Sequence, residues 1–84
     1  MNPQEATHIR PYAKELFGLC ANKADEFRLL GYEHAKMEEI WAFVCAKVPS
    51  DTPLHAVVDF ILSLRVMDFM NYQTIAAYKG EMND

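Results

Sequence analysis

Residues Pro53–Gly80 read PLHAVVDFILSLRVMDFMNYQTIAAYKG, and the fold class turns on how that stretch is read. Its apolar residues recur at intervals of three and four, without alternation of period two, so the period is helical. On a helical wheel Leu54, Val57, Val58, Ile61, Leu62, Phe69 and Tyr72 share one side, and Phe60, Leu64 and Met67 cover another. Only His55, Asp59 and Ser63 are left as a narrow polar strip. A helix apolar almost all round sits at the centre of a bundle or lies partly in an interface. The reading is a long, central, mostly apolar third helix that reaches at least Met70. A kink or short break is placed near Tyr72, because Asn71 and Thr74 are weak helix formers, with a final turn or two through Ile75–Tyr78.

Upstream, Ser50-Asp51-Thr52-Pro53 is a helix-start signal, with Thr52 or Asp51 able to cap and Pro53 at the first helical position. A first helix is predicted from about Arg10 to Leu30. Its apolar face carries Ile9, Tyr12, Ala13, Leu16, Leu19, Cys20, Ala24, Phe27 and Leu30. Pro11 suits the first turn, and Gly31 suits the left-handed residue that ends a helix. A second helix, about Met37 to Val48, has the stripe Met37, Ile40, Trp41, Val44, Cys45 and Val48. Glu38 and Glu39 favour its first turn and Lys47 its last, Lys36 is a poor cap, and Pro49 stops it. The fold class is all-α, a small three- to four-helix bundle in one domain over 1–84, with a structured core of about 10–79 and tails at 1–8 and 80–84.

Eighty-four residues with a hydrophobic share of 51% exclude intrinsic disorder. So much apolar material on so small a body must pack very well or be shared with a partner, and a homodimer is one such arrangement. Eight Lys and Arg face twelve Asp and Glu, a net charge of −4. The lysines are scattered rather than gathered into the basic stripe that phosphate binding requires. No apolar run approaches the length of a membrane span, since Asp59, Arg65 and Asp68 interrupt the longest. The N-terminus offers no hydrophobic signal core. Cys20 and Cys45 read as free thiols of a cytoplasmic protein.

Chemistry is sparse. His8, His34 and His55 fall in different elements, with no metal-ligand spacing, and Gly18, Gly31 and Gly80 form no phosphate loop. Ser50 and Ser63 lack a nucleophile context. The chain is read as a non-enzyme without cofactor. Exposed aromatics are the better lead. Tyr32, after the helix-ending glycine, either packs across the turn or contacts a partner. Phe43 points away from the stripe of the second helix and reads as a surface aromatic or an interface anchor. Arg65 and Asp68, three apart, form either a pair on the helix surface or a partner-facing charged pair ringed by aromatics.

The runs Lys23-x-x-Glu26-Phe27-x-Leu29-Leu30-Gly31-Tyr32 and Glu38-Glu39-Ile40-Trp41 resemble the small helical post-transcriptional regulators of the ComN type. The likeness continues in Leu54-His55, Val58-x-x-Ile61-Leu62-Ser63-Leu64 and Asp68-Phe69-Met70-Asn71-Tyr72-x-Thr74-Ile75-x-Ala77-Tyr78-Lys79. It covers about Tyr12 to Lys79. The resemblance implies a cytoplasmic regulator of Gram-positive bacteria that controls a late competence messenger RNA after transcription, linked to a scaffold protein at the division site. Two departures stand out: Lys36 replaces a capping Thr, and Cys45-Ala46-Lys47-Val48-Pro49 stands where the family tends to have a basic, Trp-containing segment. The second removes the best phosphate contacts and shifts the expected partner from RNA toward protein.

The resulting expectation is a protein-binding adaptor in the control of a messenger RNA. Its partner surface is placed at Arg65, Asp68, Phe69, Asn71, Tyr72 and Tyr78, with Tyr32 and Phe43 as secondary candidates. Apolar residues would supply affinity, while Asp68 and Asn71 fix orientation. The rivals are a direct RNA binder with a basic face built from Lys14, Lys23, Arg28 and Arg65, and a structural homodimer.

Overall fold

The computed structural model describes the backbone of residues 6–82 and the side chains of residues 6–75. A 3-10 turn, Arg10–Tyr12, leads into α1 (Ala13–Leu29), followed by α2 (Met37–Lys47), α3 (Leu54–Ser63) and α4 (Val66–Met82). The all-α bundle therefore stands, with four α-helices among the described residues. It forms a slab of 34 × 32 × 17 Å, about one and a half helix diameters at its thinnest. The pairs α1–α2, α1–α3, α2–α3 and α2–α4 pack against one another.

The helical start predicted at Arg10 is the 3-10 turn, which holds Pro11, and α1 proper begins at Ala13. Leu16, Cys20, Ala24 and Phe27 lie buried along one face, joined by Ile9, which is fully buried just upstream. The ends of the predicted apolar face, Tyr12 and Leu30, are exposed instead. The helix closes on Gly31, whose φ is +106°. The Gly31 amide bonds the Arg28 carbonyl at 3.1 Å and the Tyr32 amide bonds the Phe27 carbonyl at 3.0 Å. These two bonds satisfy the last carbonyls of the helix in the paired pattern that a left-handed glycine permits.

The N-terminal boundary lies further upstream than residue 10. Ala6 is buried, and the His8 ring Nε2 lies 2.7 Å from the Thr52 carbonyl in the α2–α3 loop. The remainder of the predicted tails, residues 1–5 and 83–84, lies outside the described residues. Helix α2 matches its predicted span, and Lys36 makes no side-chain cap. At α3, Pro53 is the cap residue itself, again without a side-chain hydrogen bond. Its carbonyl accepts from the Ala56 and Val57 amides.

The long third helix is not formed. The segment breaks at Leu64–Arg65, not near Tyr72, and the chain runs as two helices joined by an elbow. The reason is geometric. At 3.6 residues per turn, Leu64 and Phe69 would point about 140° apart on one straight helix. The break lets both be buried, at 7% and 0% exposure. Leu64 adopts φ −63°, ψ 131°, an extended conformation. The carbonyls freed by the break find new donors. Ser63 Oγ, which donates to the Asp59 carbonyl at 2.7 Å, also reaches the freed Phe60 carbonyl at 3.4 Å, and Lys23 Nζ reaches across from α1 to the Leu62 carbonyl at 2.9 Å. Asp68 then sits in the first turn of α4, where a carboxylate complements the helix dipole.

Helix α4 runs unbroken through the predicted kink. Thr74 Oγ1 bonds the Met70 carbonyl at 3.0 Å, and Gln73 Nε2 donates to Glu39 Oε2 on α2 at 3.0 Å. The tie from Gln73 to α2, together with the burial of Phe69, outweighs the weak helix propensity of Asn71 and Thr74.

Candidate functional site

The elbow places the last turn of α3 and the first turns of α4 beside the C-terminal half of α2. Between them lies an open groove of about 850 Å³. Phe43 and Lys47 contribute from α2, Phe60 and Ser63 from α3, Leu64 from the elbow, and Asp68, Asn71, Tyr72 and Ile75 from α4. Its aromatic wall is ordered by ring contacts. Phe43 stacks on Phe60 at 5.8 Å and meets Tyr72 edge to face at 4.8 Å, geometries that favour aromatic pairs beyond simple burial. Lys47 Nζ stands 5.9 Å from the centre of the Tyr72 ring, a cation–π distance.

Three of the sequence-predicted contact residues come together here: Asp68, Asn71 and Tyr72. Asp68 and Asn71 are exposed on adjacent turns of α4, and Tyr72 is half-buried. Arg65 is exposed at the elbow but does not line the groove. Among the described residues no ion pair joins Arg65 to Asp68, because the break removes the single-helix spacing the pair needs. Phe69 is corrected outright. It is fully buried, its ring 5.6 Å from Phe27 and 6.2 Å from Phe43, so it supports the groove from behind. Phe43 likewise is 5% exposed and forms the groove's inner wall rather than an outward anchor. Tyr32 packs edge-on against Phe69 at 5.7 Å, on the far side from the groove. The side chain of Tyr78 lies outside the described residues.

Sequence reasoning missed Lys47, Phe60, Leu64 and Ile75. The signal for Phe60 and Leu64 was their place on a second apolar face of the wheel, which a two-helix reading would have turned toward one site. Among the described residues the groove contains no histidine or cysteine, and the Ser63 hydroxyl is committed to the Asp59 carbonyl. Elsewhere, burial pushes the Cys20 thiol up to about 12, with Cys45 adding to the effect, so at neutral pH it stays protonated and unreactive. Among the described residues no group of three His, Cys, Asp or Glu could hold a metal ion, and no helix is long and apolar enough to cross a membrane. The arrangement is suited to holding another molecule against an aromatic wall with a carboxylate and an amide at its rim.

The described residues thus form a small all-α domain with an open, aromatic-walled groove. The family described as "Post-transcriptional regulator" matches residues 9–83, and the chain belongs to that family. It is similar to the post-transcriptional regulator ComN of Bacillus subtilis (strain 168), with 28% identity over 75 residues, covering 86% of this chain and 69% of that protein. No solved structure matches the chain.

Proposed function

We propose that this regulator acts as a protein-binding adaptor in the control of a messenger RNA, and that the α2–α3–α4 groove holds its protein partner. The supporting observation is the groove's composition. A wall of Phe43, Phe60 and Tyr72 is rimmed by exposed Asp68 and Asn71, the mix of aromatic anchor and polar rim typical of protein contacts. A division-site scaffold, suggested by the family resemblance, is the first partner to test.

Direct RNA binding is less well supported. Of the four basic residues expected to build an RNA-facing surface, Lys14, Lys23, Arg28 and Arg65, Lys23 is buried against Glu26 and the Leu62 carbonyl. Arg28 is engaged with Asp25 and the Ala35 carbonyl.

The test is affinity capture from a native lysate, with and without ribonuclease, comparing wild type with Asp68→Lys and Asn71→Ala. Both positions are exposed, and the helix-dipole contribution that Asp68→Lys gives up, about 0.3–1 kcal/mol, is too small to unfold the domain, which circular dichroism of both variants checks. The expected outcome is a protein partner that survives ribonuclease and is lost from both variants. A partner retained by both variants would remove the groove from consideration, and one released by ribonuclease would favour the RNA reading.

A further inference from the structure

The elbow at Leu64–Arg65 contains no residue that forbids a helix. Neither is Gly or Pro, and leucine and arginine are both good helix formers. The bend is held from outside, by the burial of Leu64 and Phe69 and by Lys23, which sits on α1 at only 7% exposure and donates to the Leu62 carbonyl. In a continuous helix that carbonyl would accept from the Val66 amide instead. The amides of residues 65, 67 and 68 would find the carbonyls of 61, 63 and 64 in the same way. Straightening therefore satisfies the backbone at least as well as bending does. What it costs a monomer is the burial of Leu64, the Lys23 bond and the contacts of α4: Phe69 with Phe27, Tyr32 and Phe43, Tyr72 with Phe43 and Gln73 with Glu39.

A second copy can restore the α4 contacts, the larger part of that cost. We infer that this chain forms a dimer by exchanging α4, with α3 and α4 fused through a straightened elbow and each α4 seated against α2 and Phe27 of the other copy. Every α4 contact made within the monomer is then remade between copies, and the interface is closed by a two-fold axis. Short connections that must bend are where such exchange occurs. Lys23 is the lock, because its bond to the Leu62 carbonyl exists only in the bent form. Exchange also dismantles the elbow side of the groove, since Ser63 and Leu64 would lie within a straight helix, so the dimer and the groove-bound monomer compete.

The experiment is sedimentation velocity after refolding from urea at about millimolar concentration, which is needed to favour exchange over intramolecular closure. Wild type is compared with Lys23→Met and Arg65→Pro. Lys23→Met leaves the Leu62 carbonyl unpaired only when bent, and should raise the dimer association constant about tenfold or more. Arg65→Pro bars Leu64 from the helical region while permitting its observed φ and ψ, and should give helical monomer only. Strictly monomeric wild type and Lys23→Met would overturn the inference. So would a dimer undiminished in Arg65→Pro, which would be ordinary surface association. Should Arg65→Pro not fold, spin labels at Asp59 and Asn71, in labelled chain diluted with unlabelled chain, decide the matter. A straight helix sets their Cα atoms about 18 Å apart, and a distance unchanged between monomer and dimer excludes exchange.

Discussion

Phe69 carries more of the fold than any polar residue near it. It is fully buried and its ring meets those of Phe27, Tyr32 and Phe43, so it ties α4 to α1, α2 and the turn between them. Phe69→Ala should cost about 3–5 kcal/mol, a large part of the ~5–15 kcal/mol that keeps a small domain folded. Thermal unfolding followed by circular dichroism should show a midpoint lowered by roughly 12 °C or more, and a fall of a few degrees would mean that α4 is not held through this ring. The sequence points to Phe69 as important but places it on the wrong side of the surface. Its wheel position groups it with Val57 and Ile61, the side that the structure buries, so what fails is its assignment to a partner surface, which its polar neighbours Asp68 and Asn71 suggested. Phe43 is misjudged for another reason: its partners Phe60 and Tyr72 belong to two helices whose joint was invisible. Asp68, Asn71 and Tyr72 are legible because they share one helix downstream of the break, where their mutual spacing is right wherever the helix begins.

At the scale of elements, what could be read from the sequence was whatever a local residue decides. Gly31 ends α1 because its φ of +106° is one that residues with a Cβ adopt only under strain. A Cβ added there would meet no atom within 4 Å, so the cost of substitution is conformational alone. Gly31→Ala should therefore destabilise by about 1–2 kcal/mol, seen as a midpoint lowered by roughly 4–16 °C with the groove intact. A neutral or stabilising effect would show that the α1–α2 turn can adopt another conformation. The elbow is the opposite case. Nothing within Ser63–Val66 announces a stop, and the donor that secures it, Lys23, lies on another helix. Sequence periodicity could report that Pro53–Gly80 was apolar on too many faces for one surface helix. It could not report that the surplus was divided between two helices, because that depends on contacts made only after the chain has folded back.

For the molecule as a whole, the decisive quantity is where charge remains free. The net charge is −4, and two of the eight basic residues, Lys23 and Arg28, are engaged in holding the fold. Lys47, the basic residue in the groove, stands over Tyr72 on the same groove as the Asp68 carboxylate. A phosphate backbone approaching this face meets a carboxylate as well as an ammonium group, whereas high affinity for RNA depends on several cations acting together and releasing counterions. Fluorescence anisotropy with a labelled single-stranded RNA should consequently show binding no tighter than about 10⁻⁴ M at physiological salt, the weak end of non-specific association. Sub-micromolar binding that weakens steeply between 50 and 200 mM salt, by about a thousandfold or more, would contradict this and require a basic surface assembled elsewhere. Asp68→Lys sharpens the distinction. If charge alone separates the groove from an RNA site, the variant should gain RNA affinity while losing the protein partner; loss of both would place Asp68 in a contact that RNA and protein share.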